Sequence, residues 1–185
     1  MIILSALFMG GLAVLCLFYV VDGSDWALYP ANQHIYSNGT IIQAGKITDR
    51  NDKILAQTVN GIREYNSDRS IRMATLHAVG DFNGFIKTGL HSSYIDKLTG
   101  YNKLNGTYSY SKKGNNVKIT LDSSVCVTAA EALGSRSGTV GVYNYKTGEV
   151  ICMVSTPSYD PNSKDDTKKA KDGEYKGVFI NRFLS

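Results

Sequence analysis

No lysine or arginine occurs before Lys46, and the stretch from Ile2 to Val21, IILSALFMGGLAVLCLFYVV, carries no charge of either sign. Its one strongly polar side chain is Ser5. As an α-helix rising about 1.5 Å per residue, this run would reach roughly 30 Å, the hydrocarbon thickness of a bilayer. The basic start and A-x-A-like cleavage site of a removable signal peptide are missing, and the apolar run is too long for one. A buried core helix is the other alternative, but a run this apolar belongs in lipid. The reading is a single membrane span. The same lack of basic residues leaves the positive-inside asymmetry silent on the short side.

Cysteine is scarce too. Cys16 lies inside the span, Cys126 in a helical pattern and Cys152 in a strand pattern, with no C-x-x-C and no Cys/His pairing at zinc spacing. Buried free thiols are the expectation. His34, His77 and His91 have no i, i+4 partner that would make a zinc pair, so no metal site is assigned. No glycine pattern that could cradle a phosphate precedes a helix, and no cofactor is expected. The net charge of +4 is dispersed over both signs, which excludes a nucleic-acid surface and fits an ordinary extracellular one. No internal repeat is present.

What remains is a mixture of strands and helices. Thr40 to Ile47 and Lys53 to Val59 are β-prone runs around the polar turn Asp49-Arg50-Asn51-Asp52, and Ile62 to Tyr65 adds a third strand. Two helical patterns follow: Ser70 to Ala78, ending at Gly80, and Leu90 to Leu98, ending before Gly100. The alternation in GTYSYSKKGNNVKITLD predicts a β-hairpin turning at Lys112-Lys113-Gly114-Asn115. Asp122 or Ser123 starts a helix through Leu133 that Gly134 ends. Thr139 to Tyr145 and Glu149 to Ser155 make a second hairpin, and the highly charged stretch 163–177 reads as a mobile surface loop. Asn38-Gly39-Thr40 and Asn105-Gly106-Thr107 match the glycosylation sequon, although Asn-Gly turns suffice to explain both.

Two groups of letters imitate acyl-serine chemistry. Ser109-Tyr110-Ser111-Lys112 fits S-x-x-K, and Lys146-Thr147-Gly148 fits K-T-G, two of the three elements of penicillin-recognising serine enzymes. In S-x-x-K the lysine must reach the serine hydroxyl, which works on a helix because positions three apart share a face. Ser109 and Lys112 fall instead in an alternating strand, where such residues point to opposite faces. Lys146-Thr147-Gly148 reads as the tight turn of the second hairpin, and S-D-N is absent. No residue is therefore assigned a catalytic role.

In its full setting that turn is more informative. SGTVGVYNYKTGEVICMVSTPSYDPN resembles the first strand pair of the transpeptidase domain of class B penicillin-binding proteins, and VKITLDSSVCVTAAEAL resembles the strand and helix just before it, with Val127 where Gln is usual. GKITDRNDKILAQT and ATLHAVGDFNGFIKTGLHSSYIDKLTG resemble segments of the non-catalytic pedestal that follows the anchor in that family. Ala44 stands where Arg is usual, Asp52 replaces Gly and His91 replaces Glu, which puts the pedestal's salt bridges in doubt.

The resemblance implies an α+β fold: a transmembrane anchor over 1–22, a small mixed, dimerisation-type pedestal over 23–112, and over 113–185 an incomplete penicillin-binding, β-lactamase-like transpeptidase domain. NRFLS resembles the lead into the family's S-x-x-K loop, and the nucleophile is not carried onto Ser185, since no lysine follows it. The expected function is that of the N-terminal portion of a bacterial enzyme that cross-links peptidoglycan stem peptides, inactive by itself. Its single span would leave the ectodomain outside the cytoplasm. Stem peptides and β-lactams would be ligands of the full-length parent only, and cell-division or elongation proteins are the partners a pedestal implies. The alternative is a complete membrane-anchored interaction protein that has lost the enzyme domain.

Overall fold

A computed structural model describes residues 1–27, 36–37, 40–41, 44–102, 104 and 114–185. The apolar run forms helix α1, Ile2–Ala27. Its segment Ile2–Gly23 is long and apolar enough to cross a membrane, and residues 2–21 are exposed. Two short strands, β1 (Tyr36–Ser37) and β2 (Thr40–Ile41), pair antiparallel.

Strands β3 (Ile47–Thr48), β4 (Ile54–Val59) and β5 (Ile62–Tyr65) follow, each antiparallel to the next. The expected polar turn joins the first two: the Asp49 carboxylate accepts from the backbone N–H groups of Asn51 and Lys53, at 2.8 and 2.9 Å. Between β4 and β5 stand Asn60 and Gly61, both at positive φ (50° and 77°). That pair of conformations is the one whose twist matches two antiparallel strands.

The helical patterns are real but interrupted. The first divides into α2 (Arg69–Ala74) and α3 (Leu76–Val79), the second into α4 (Leu90–Ser93) and α5 (Ile95–Thr99). At the first break the Thr75 hydroxyl donates to the Ile71 carbonyl at 2.8 Å, a local bond that competes with the regular helical ladder. Gly100 ends α5 in the left-handed conformation, as expected.

Strand β6, Val117–Lys118, has a partner the hairpin reading does not name: it runs parallel to β3 with Ile47 opposite Val117, giving a sheet ordered β5-β4-β3-β6. The expected partner strand, residues 107–112, lies outside the described residues, and local alternation could not reveal a partner about seventy residues upstream. Helix α6, Ser123–Leu133, begins where the sequence placed it, its N-cap Asp122 accepting from the backbone of Ser124 and Val125. Strands β7 (Gly138–Tyr143) and β8 (Val150–Thr156) form the second hairpin.

The charged stretch 163–177 is not simply a loop. Lys164–Lys171 is a helix, α7. Ser163 caps it through Oγ, Asp165 and Asp166 occupy the first turn, and Lys168, Lys169 and Lys171 the last, the charge order that complements a helix dipole. Ala170, at 2 % exposure, docks it onto the core, helped by the Arg69–Asp166 pair at 3.6 Å and the Lys171 ammonium 5.1 Å from the Phe85 ring centroid.

Two apolar clusters underlie these layers. The larger joins Ile47, Leu55, Leu76, Val79, Ile86 and Leu98 to Tyr159 and Val178 far along the chain. The smaller lies between α6 and β8, with Leu121, Cys126, Cys152 and Val154. Replacing the α7 cap, Ser163→Ala, is expected to cost about 1 kcal/mol. Hydrogen exchange should detect this as faster exchange confined to the first turn of α7; unchanged exchange there would mean that docking alone holds the helix.

Candidate functional site

The residues nominated by motif do not converge. Ser109 and Lys112 lie outside the described residues, as do His34, Asn105-Gly106-Thr107 and the Asn38-Gly39 half of the first sequon. Lys146-Thr147-Gly148 forms the exposed turn between β7 and β8. There the Gly148 N–H donates to the Asn144 carbonyl at 2.7 Å, Gly148 adopts φ 76°, and the Lys146 backbone N–H meets the Asn144 side chain at 3.0 Å. The Lys146 ammonium lies 5.8 Å from the Tyr145 ring centroid, and Thr147 donates to Glu149. These are the contacts of a turn. No cluster of metal-ligating side chains occurs among the described residues.

The structure instead gathers a polar joint that motif reading missed. Arg63 and Tyr65 both point inward from β5, and the guanidinium of Arg63, 3 % exposed, is enclosed. Its Nη1 donates to the carbonyl oxygens of Ala44 and Gly45, at 3.1 and 2.7 Å, and its Nε donates to His91 Nε2 at 2.9 Å. Since that nitrogen accepts, His91 is the neutral tautomer with its proton on Nδ1, which donates to the Gly80 carbonyl at 2.7 Å. The Tyr65 hydroxyl donates to the same carbonyl at 2.8 Å.

This is what His91 does in a position where the resemblance expects Glu. A carboxylate there would form an ion pair; the imidazole gives Arg63 a neutral acceptor instead. No carboxylate lies within ion-pair distance of Arg63 among the described residues. Burial pulls the Arg63 pKa down to about 10. Burial first, and the neighbouring Arg63 charge second, pull His91 down to about 3. His77, buried under Val178 with Nε2 2.8 Å from its carbonyl, is lowered by burial as well.

A second joint ties α2 to the segment after β8. Arg72 binds Asp160 bidentately, both contacts at 2.6 Å, and Arg69 reaches the same carboxylate at 3.4 Å. The Arg72 hydrogen bonds hold the Asp160 carboxyl below its ordinary range although burial opposes this. Beside this joint an open groove of about 840 Å³ runs between β5 and α7, lined by Ile62, Phe82, Lys164, Lys168 and Lys171 among others. A second groove of about 530 Å³, mainly apolar, lies between α6 and the end of β8. The joints are chemically suited to holding elements in register. They could have been sought in the sequence: in Ile62-Arg63-Glu64-Tyr65 the strand period puts Arg63 on the face of an aromatic.

No protein-family model matches the chain. Over 50 residues, 27% of this chain, it is 36% identical to the peptidoglycan D,D-transpeptidase MrdA of Acinetobacter baumannii, of which the match covers 7%. In fold it is similar to the D,D-transpeptidase domain of a peptidoglycan glycosyltransferase from Eggerthella lenta, with a TM-score of 0.55 and 24% identity over 76% of this chain. It is likewise similar to Pseudomonas aeruginosa PBP2, with a TM-score of 0.52 and 24% identity over 77% of this chain. The chain spans 32% and 33% of those two structures. The resemblance to class B penicillin-binding proteins is thus met by a curated relative and by structural neighbours of the same α+β fold.

The neutral His91 makes stability depend on pH. Its folded pKa, about 3, lies below the ordinary 6.5, so between those values the native state holds fewer protons than the unfolded chain. The stabilisation is complete above that window and is lost as pH falls through it, by up to about 1.4 kcal/mol per pH unit. His91→Glu supplies a carboxylate and removes this imidazole. Denaturant unfolding at pH 7, 6 and 5 should show a shallower loss of stability for the variant, with the His77 contribution remaining. An unchanged slope would show that His91 is not the group that must protonate.

Proposed function

We propose that this chain is the anchoring and scaffolding portion of a membrane-bound peptidoglycan D,D-transpeptidase of the class B penicillin-binding type. In this reading residues 1–22 are the anchor, 23–112 the pedestal and 113–185 the first part of the transpeptidase domain. The observation that carries it is a fold likeness to D,D-transpeptidase structures over three quarters of the chain. The curated relative supports it from the sequence side. The pairing of β6 with β3 gives the reading a physical sense, because it stitches the start of the third segment into the sheet of the second. A base of that kind sets the height above the bilayer at which a reaction centre meets its substrate.

Within this reading no residue of the chain is the nucleophile. Acylation needs a serine oxygen, a lysine within hydrogen-bond reach and donors for the oxyanion, all in one cleft. Lys146 sits on an exposed turn, which supports leaving it out. Stem peptides and β-lactams are then ligands of the full-length parent, and division or elongation proteins are the partners of the pedestal. Membranes carrying the 185-residue chain should not be labelled by a fluorescent penicillin, whereas the chain extended by its downstream coding sequence should be. Stoichiometric labelling of the short chain, lost on Ser109→Ala, would overturn the assignment. An authentic stop after codon 185 would favour the alternative of a complete interaction protein.

The anchor carries a topological proposal as well: residues 23–185 lie outside the cytoplasm, as a wall-building enzyme requires. Protease added to intact spheroplasts should remove them. Full protection would refute the orientation.

A further inference from the structure

The fold brings two of the three cysteines together. Cys126 faces inward from α6 and Cys152 inward from β8, and both are fully buried in the cluster that contains Ala74, Ala78, Leu121 and Val154. Each thiol is near enough to influence the other's ionisation, and the Cys152 thiol points at the Val140 carbonyl at 3.9 Å. Thiol hydrogen bonds are weak, so packing of the helix on the hairpin is what holds both thiols in one buried cluster. Cys16, exposed on the apolar helix, belongs to neither buried cluster.

We propose that Cys126 and Cys152 are a disulfide-forming pair that staples α6 to β8. In the cell this rests on the extracytoplasmic orientation proposed above, because disulfides persist in oxidising compartments. The oxidant is an external disulfide, R–S–S–R, of the thiol–disulfide oxidoreductase or oxidised-glutathione class. One cysteine loses its proton and attacks a donor sulfur; a mixed disulfide forms and the first R–S⁻ leaves. The second cysteine loses its proton and attacks the protein sulfur of the mixed disulfide; the Cys126–Cys152 bond forms and the second R–S⁻ leaves. Two electrons pass from the cysteine pair to the donor, and the two released protons convert the leaving thiolates to two R–SH.

The surroundings also fix when this exchange is possible. Burial pushes the Cys126 thiol up to about 12 and raises Cys152 too, so neither is a ready nucleophile in the packed state. Oxidation therefore accompanies folding, before α6 closes over β8, and the finished bond is shielded from reductants. The staple closes the loop that carries β7, a strand that among the described residues pairs only with β8. Cross-linking there restricts the unfolded chain, which is how most disulfides stabilise.

The test uses the whole 185-residue chain in detergent, reduced, unfolded and refolded in a mixture of oxidised and reduced glutathione. Alkylation under denaturing conditions should find the free thiols reduced from three to one, Cys16. Peptide mass spectrometry should identify a Cys126–Cys152 linked species lighter by two hydrogens. The oxidised protein should melt higher than the reduced one by about 5 °C. Cys152→Ala should abolish both the linkage and the oxidant-dependent shift. Three free thiols after refolding, or a bond involving Cys16, would overturn the pairing, and neither reading depends on a variant folding well.

The same alkylation after acid quenching of cells, beside protease digestion of spheroplasts, separates pairing from orientation. A linked pair in a protease-sensitive ectodomain supports both. Free thiols in a protease-sensitive ectodomain overturn the proposal for the cell. Free thiols in a protected one overturn the orientation, while linkage on refolding still supports the pair.

Discussion

A guanidinium enclosed in a protein interior must place its N–H groups on acceptors already aimed at it, because water is not there to take them. Arg63 imposes that constraint here and meets it through Nε and Nη1, while its buried Nη2 has no hydrogen-bond partner among the described residues. Its bonds to the carbonyls of Ala44 and Gly45 hold the chain just ahead of β3, and its bond to His91 reaches the start of α4. Through His91 and Tyr65 the same network ends on the Gly80 carbonyl, after α3. Strand, strand entry and two short helices are thereby referred to one side chain. The backbone accommodates this by close approach: a Cβ on Gly89 would stand 2.2 Å from the Gly80 Cα. A neutral imidazole as the central acceptor is a solution with a pH limit, since a protonated His91 would set two cations face to face.

Around that joint the apolar packing has two centres with a shared border. Ile119 and Val127 pack against both clusters. Val127 stands where the resemblance expects Gln, and an apolar side chain at this junction needs no hydrogen-bond partner. Asp160 supplies the corresponding polar tie on the other side, drawing the segment after β8 onto α2 through a bidentate pair with Arg72. Such a pair is directional as well as strong, so it sets the relative placement of the two segments in addition to holding them.

The K-T-G turn shows how a motif's letters and its chemistry can part. The three side-chain environments that acyl transfer needs are convergent, whereas a two-strand turn presents its residues outward. The same letters remain diagnostic as part of a longer pattern, because strand alternation and turn geometry constrain many positions at once. A chain can thus carry the architectural half of a family's pattern with its reactive half unassigned.

The sequence by itself determined whatever depends on neighbours along the chain. The uncharged helix, the Asp122 cap and Gly134 stop of α6, the β7–β8 register around Lys146-Thr147-Gly148 and the left-handed Gly100 are all local, and each follows from dihedral preferences and capping chemistry. The longer resemblance extended this to fold class. Only the tertiary structure decided which distant elements meet: β6 beside β3, Asp160 on Arg72, His91 under Arg63, and Cys126 in one buried cluster with Cys152. It also converted 164–171 from a charged stretch into a helix, through a cap, a buried alanine and contacts of Asp166 and Lys171 with Arg69 and Phe85. The physical reason is common to these cases. Parallel pairing, buried ion and imidazole contacts, and a shared thiol cluster all require residues brought together by loops, and the pattern of residues along the chain does not encode the closing of those loops.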